Sequence, residues 1–317
     1  MKALASFVLL VAAGQGSAET LWVSDEQGDV LHALAPPAWQ VVDRVAAGKR
    51  PRGIAPGPDD ALVVAASDDG AVLVLDPRNG RERRRVPVGP DPERFAFAPD
   101  GRTLYVANED DALVSFVDWP TGEVRATVEV GAEPEGIAAS PDGTLVVATS
   151  ESQSLVHFID VHTATLVDSV LVGTRPRDAA FSADGRELWV SSEARGTLAL
   201  FDPATHRVER TIDFQREPGA SPSTQAVGIA LARSGRRGFV ALGRGNGVAE
   251  FDRSDGRIVR RFATGERTWS IALSPDERRL YAANGLSGDV TVVDLERNVV
   301  VATVKTGGKP WGLVSMP

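Results

Sequence analysis

One strand-like pattern recurs seven times along the chain, and this period constrains the fold more than any other feature of the sequence. It reads Leu21-Trp22-Val23-Ser24, Leu62-Val63-Val64-Ala65, Leu104-Tyr105-Val106-Ala107, Leu145-Val146-Val147-Ala148, Leu188-Trp189-Val190-Ser191, Gly238-Phe239-Val240-Ala241 and Leu280-Tyr281-Ala282-Ala283. Successive starts lie 41, 42, 41, 43, 50 and 42 residues apart. A second marker keeps the same beat: Gly48-Lys49-Arg50-Pro51-Arg52-Gly53-Ile54-Ala55 returns from Gly131, Gly173 and Gly307. Degenerate copies begin at Gly89 and Gly265, and another is centred on Gly228.

Each unit reads as four short strands. In the unit from Pro92 to Val130 the expected strands are Arg94–Ala98, Thr103–Asn108, Leu113–Asp118 and Glu123–Val130. Pro99-Asp100-Gly101 and Pro120-Thr121-Gly122 supply turn chemistry between the apolar runs, as do the sister turns at Ser140-Pro141-Asp142-Gly143, Ala183-Asp184-Gly185 and Ser274-Pro275-Asp276. No helical period persists over ten or more residues. The expected fold is therefore all-β: a seven-bladed β-propeller of four-stranded antiparallel blades. The pattern opens on a second-strand phrase at Leu21 and ends on a first-strand phrase at Trp311–Val314. One blade must therefore pair N- and C-terminal strands, which closes the ring and removes two sheet edges.

Length alone, 317 residues, would suggest two domains, but a closed all-β architecture of this size forms one, here placed at 19–317. Residues 1–18 read as a signal peptide: Lys2, an apolar stretch from Ala3 to Ala13, then small residues, with cleavage expected after Ala18 and a soluble periplasmic product. The apolar run is too short to span a bilayer as a helix, so no membrane insertion is expected. A net charge of −9 argues against nucleic-acid binding. The chain contains no cysteine, which excludes disulfides, thiolate metal sites, covalent haem attachment and a cysteine nucleophile.

The markers resemble the YVTN family of β-propeller repeats, most closely in Leu104-Tyr105-Val106-Ala107-Asn108, Leu280-Tyr281-Ala282-Ala283-Asn284, Val130-Gly131-Ala132-Glu133-Pro134-Glu135-Gly136-Ile137 and Ser140-Pro141-Asp142-Gly143. The similarity covers essentially all of 20–317 and is specific for fold, far less so for function. Among exported seven-repeat members, the chain looks most like the propellers associated with pyrroloquinoline quinone-dependent alcohol catabolism. That resemblance implies a quinoprotein dehydrogenase, a c-type cytochrome or a transport component as partner.

In an up-and-down blade, the inter-blade connection and the loop between the second and third strands share one face. There the residue before the Gly53-like position forms a ring: Arg52, Glu93, Glu135, Arg177, Val227, Trp269 and Trp311. The adjacent indoles can stack a flat or sugar-like ligand, or can simply cap the tunnel. The loops on this face carry Asp25, Glu26, Asp68, Asp69, Glu109, Asp110, Asp111, Glu151 and Glu193, then switch to Arg195 and Arg244. This acidic sector can steer a basic protein or a cation, or be a solvated rim. A metal needs several oxygens at one point, and ring spacing should spread these carboxylates, so no metal site is expected. The long interval places Phe214–Gln225 on the same face, with Arg216, Gln225 and Arg244 as candidate contacts.

His32 and His157 share a third-strand phase three units apart, while His162 and His206 fall in turns on the far face, which points to structural or surface roles. No metalloprotease helix motif or nucleophile elbow occurs, and Gly243-Arg244-Gly245-Asn246-Gly247 leads into a strand, not a helix. The column Trp22, Tyr105, Trp189, Phe239 and Tyr281 reads as inter-blade packing. These readings lead to an expected monomeric, non-catalytic propeller without cofactor, binding a small molecule or protein through the Trp269/Trp311 face. The alternatives are a propeller enzyme, either a quinoprotein-like dehydrogenase or a lactonase, and a pure assembly scaffold.

Overall fold

The second and third strands of each repeat are apolar on both sides, as in Leu104-Tyr105-Val106-Ala107, and are buried along their length. Strands covered on both faces read as continuous apolar runs. The fourth strands, such as Glu123–Glu129 and Thr165–Leu171, are largely exposed. These two patterns define blades that stack face to face around an axis with their last strand outermost.

The computed structural model describes residues 19–217, 220–233 and 235–317. Its strands form seven four-stranded antiparallel sheets in a ring, with one short 3-10 turn at Ser67–Asp69 as the helical element among the described residues. Blades 1 to 6 span 51–87, 92–129, 134–171, 176–213, 229–263 and 268–305. Blade 7 takes its inner strand, Pro310–Met316, from the carboxyl end and pairs it antiparallel with Thr20–Asp25. The closure thus follows the strand phase read at the two ends of the pattern. Glu19 reinforces it: Arg279 Nη1 donates to its carboxylate at 2.9 Å and Ser315 Oγ at 2.7 Å, alongside the Tyr281 hydroxyl. The expected export segment, 1–18, lies outside the described residues. No helix among the described residues is long and apolar enough to cross a membrane.

The observed second and third strands of blade 2, Thr103–Asn108 and Leu113–Asp118, coincide with the expected ones; its inner strand starts earlier, at Pro92. The Asp-Gly turns are held by local hydrogen bonds. Ser140 Oγ donates to Asp142 Oδ1 at 2.6 Å and accepts the Leu145 N–H at 2.9 Å, while Gly143 supplies a φ of 73°.

The core is a set of clusters, each between two neighbouring sheets. Trp189 of blade 4 packs with Leu198, Leu200, Val240, Ala249 and Phe251, its ring centroid 4.9 Å from that of Phe251. Trp22, Tyr105, Phe239 and Tyr281 sit buried in equivalent positions. His32 and His157 are buried inside blades. His157 Nε2 accepts the Gly131 N–H at 2.9 Å, and burial holds its imidazole down at about 4, hence neutral. At the axis, glycine lets neighbouring inner strands touch: a Cβ on Gly312 would lie 2.6 Å from Arg52 O, and one on Gly136 2.9 Å from Arg177 O.

Because each cluster is shared by two blades, truncating one large side chain should loosen two sheets at once. Trp189→Ala should lower unfolding stability by about 3–5 kcal/mol, read as a lower urea midpoint with the slope unchanged.

Candidate active site

The ring positions owe their direction to a backbone irregularity. The inner strands of blades 1 to 4 and 6 shift register beside the ring residue: between Pro51 and Ile54, Pro92 and Phe95, Pro134 and Ile137, Pro176 and Asp178, and Thr268 and Ser270. A bulge re-aims a side chain that the pleat would otherwise point into the sheet-to-sheet core. Arg52, Arg177, Trp269 and Trp311 consequently line a cavity of about 400 Å³ at the channel mouth. Glu93 and Glu135 lie buried beside them. Val227 is buried in the core cluster of blades 5 and 6.

A second ring stands two residues earlier in each marker: Arg50, Asp91, Glu133, Arg175, Arg267 and Lys309 also line the cavity. The first five have left-handed backbones, with φ between 43° and 58°. Such strain on non-glycine residues gathers at functional sites. Sequence reasoning passed over these residues, although the signal was there: each is the charged residue just before the Pro (or Thr268) of the marker. Glu26, Glu109 and Glu151, from the loops between second and third strands, complete the wall.

Charges alternate by arcs. Arg52 pairs with Glu93, and with Glu26 at 3.0 Å; Arg50 pairs with Asp91, and with Asp68 at 2.6 Å. On the other side of the acids, Arg177 pairs with Glu135 and lies 2.7 Å from both Glu151 and Glu193. The remaining arc holds Trp269 and Trp311, with centroids 6.4 Å apart and planes inclined by 55°. Guanidinium groups cover both indoles: Arg267 and Arg177 over Trp269, at 4.5 and 4.9 Å, and Arg94 and Arg52 over Trp311, at 4.7 and 5.7 Å.

The floor is closed by an exchange at the glycine position. Arg94 and Asp178 replace the glycine of the marker in blades 2 and 4, and Arg94 Nη1 meets Asp178 Oδ1 at 3.3 Å. Asp178 Oδ2 also accepts the Ile229 N–H at 2.9 Å, which ties in blade 5.

Contrary to the expected spreading, three carboxylates converge. Asp91 and Glu93 come from one strand start and Glu109 from the next loop of the same blade, so each offers an oxygen within 4.8 Å of the others. Burial lifts the Glu93 carboxyl to about 8; Arg52 pulls it down, and a hydrogen bond and charge from Glu109 push it up. Several buried polar atoms at the mouth lack any partner: Glu93 Oε2, Glu135 Oε1, Arg94 Nε and Nη2, Arg267 Nε, and both indole N–H groups. Native interiors leave few such atoms, and clustering of this kind marks a place where a ligand or water completes the bonding.

The inserted segment contributes less than expected. Arg216 is exposed and pairs with Asp213 at 3.3 Å, away from the cavity, and the Arg244 side chain lies out on a shallow surface with Ser223, Asn246 and Glu266. An insertion lengthens the outer rim, and its long side chains find nearer partners than the axis. Gln225 acts as a strut: its Nε2 donates to Glu193 Oε1 at 2.9 Å, and its Oε1 accepts the Arg244 N–H. Asp25, read as rim, is buried and accepts the backbone N–H groups of Gln27, Gly28 and Lys309.

These features define a seven-bladed propeller with a closed-bottomed, ionised pocket and converging carboxyls at one end of its channel. Residues 137–305, just over half of the chain, match the family model described as Lactonase, 7-bladed beta-propeller, and the chain belongs to that family. Residues 56–154 match a model described as Cytochrome D1 heme domain. A solved structure of hydrazine synthase from Kuenenia stuttgartiensis aligns with a TM-score of 0.76 at 22% identity, over 87% of this chain and 92% of that one, a likeness of fold. No curated protein matches the sequence.

The family matches overturn the expectation that the chain is not an enzyme: a lactonase family is a family of enzymes. The reading failed because it searched for histidine, serine and metal motifs, whereas the titratable groups that line this mouth are chiefly carboxylates and guanidiniums. A haem is not a fit for this mouth. His32 and His157 are committed inside blades, His162 and His206 lie in turns on the opposite face, and the cavity offers carboxylates and guanidiniums, with no imidazole.

The raised Glu93 carboxyl makes a thermodynamic prediction. The folded state keeps its proton up to about 8 while the unfolded chain loses it near 4.5, so this group costs stability increasingly as pH rises through that window. Glu93→Gln should therefore gain melting temperature relative to the parent at pH 8 and show little gain at pH 4, measured by thermal unfolding across pH.

Proposed function

We propose that the protein hydrolyses a lactone at the channel mouth, with Glu109 and Glu93 as the acid–base pair. Membership in the lactonase family supports the substrate class, and the observation that carries the reading is the buried Glu93 carboxyl, raised to about 8, beside Glu109, which lines the cavity. Glu109, which lines the cavity, takes a proton from water. The water oxygen bonds to the lactone carbonyl carbon, and Arg50 and Arg52 stabilise the oxyanion that forms. The ring C–O bond then breaks and the departing alkoxide receives the proton held by Glu93. The product is a hydroxy acid, and transfer of the proton from Glu109 to Glu93 restores the starting state. No resident metal or cofactor enters these steps.

The export-signal character of 1–18 supports a periplasmic place of action, and the wording of the repeats supports a YVTN-like placement within the family.

The test is acid release from a panel of γ- and δ-lactones by the purified chain. Turnover is expected, with a rate that falls above about pH 8 as Glu93 loses its proton. Glu109→Gln and Glu93→Gln should each reduce kcat by about 10²-fold or more with unchanged circular dichroism. No turnover on any lactone, or full turnover by Glu109→Gln, would sink the proposal.

A further inference from the structure

We propose that the arc formed by Trp269, Trp311, Arg267 and Lys309 is a carboxylate-binding subsite, so that the substrate carries a carboxylate remote from the bond that is hydrolysed. The inference deepens the hydrolase reading, since it takes the same cavity as the substrate site, but it stands on separate groups.

The unpartnered atoms of the mouth are segregated by kind. Those around the two indoles are all donors: the indole N–H groups, Arg267 Nε, and Nε and Nη2 of Arg94, whose guanidinium reaches over Trp311 from blade 2. The unpartnered carboxyl oxygens, Glu93 Oε2 and Glu135 Oε1, sit on blades 2 and 3. Trp269 and Trp311 are 9% and 4% exposed, so their N–H groups have little access to bulk water. A buried donor without an acceptor is costly, and a ligand oxygen would relieve it. Blade 6 lies three steps around the ring from blade 2, about as far from the carboxyl pair as the circle allows.

The electrostatics point the same way. Lys309 has no carboxylate within ion-pair distance among the described residues, and Arg267 has only Glu193, at 3.6 Å. Glu193 is already engaged by Arg177 and Gln225. Burial and the nearby cations Arg244, Arg177 and Arg175 lower the Arg267 guanidinium against the pull of Glu193. A site with more cation than it can neutralise, lined by fixed N–H donors, is built for an oxyanion. The excess is close to one charge, because Arg267 is partly met by Glu193, which suits one carboxylate group better than a phosphate, whose two charges sit on one group.

Isothermal titration with succinate, which cannot be hydrolysed, reads this subsite without turnover. Succinate should bind, succinamide should not, and inorganic phosphate should bind more weakly than succinate. Trp269→Phe combined with Trp311→Phe keeps both rings but removes both donors, and should weaken succinate about tenfold or more. Lys309→Gln, an exposed change that leaves the fold intact, should weaken it about fivefold and flatten its salt dependence. Near-ultraviolet circular dichroism of the Phe variant checks that the mouth is still assembled. Equal binding of succinamide, tighter binding of phosphate, no binding of succinate to the parent, or unaltered affinity in both the Phe and the Gln variants would each overturn the subsite. Succinate binding with no lactone turnover would leave the subsite standing and refute the hydrolase.

Discussion

Everything in this molecule depends on how closely the innermost strands can approach one another at the axis. Glycines at positions such as Gly53, Gly136 and Gly312 allow backbone to meet backbone between blades, where a Cβ would fall 2.6–2.9 Å from the neighbouring strand. That contact sets the width of the channel, and the width decides which side chains meet across it. The apolar clusters between blades then hold the ring at this diameter, and the shared blade 7 keeps it from opening. A looser axis would leave the same charged residues as a solvated rim with ordinary acidities.

The mouth departs from the repeat at the places where it does chemistry. Two blades trade the axial glycine for Arg94 and Asp178, and the resulting pair closes the floor. Two blades place acids at the ring position, two place arginines, and two place tryptophans. A symmetric scaffold thus presents an asymmetric pocket, acidic on one arc and donor-rich on the other. Strained backbones, buried unpartnered atoms and a displaced carboxyl acidity all occur within this one region. Their coincidence separates a working site from the cleft on the far face, where Asp142, Asp184 and Asp202 merely pin turns and are held below the usual carboxylate range by those hydrogen bonds.

The fold was legible because strand pattern and turn chemistry are local, and because a period near 42 residues admits few architectures. Strand boundaries in blade 2 and the shared blade 7 follow directly from it. The inner ring of the mouth was also legible, since each member occupies one phase of the repeat. The outer ring, from Arg50 to Lys309, occupies an equally regular phase but was overlooked, and Arg216 and Arg244 were expected at a cavity that neither lines, Arg216 being held by Asp213.

The sequence by itself determined the number of blades, the joining of the two chain ends, and which residue types face one end of the channel, because those properties are periodic and a period survives without coordinates. The crossing of Arg94 to Asp178 and the division of the rim into a donor-rich and an acidic arc were decided only by the closed ring. Those relations depend on distances between residues from different turns of the repeat and on how much water the closed mouth excludes, and neither quantity is written in a linear pattern.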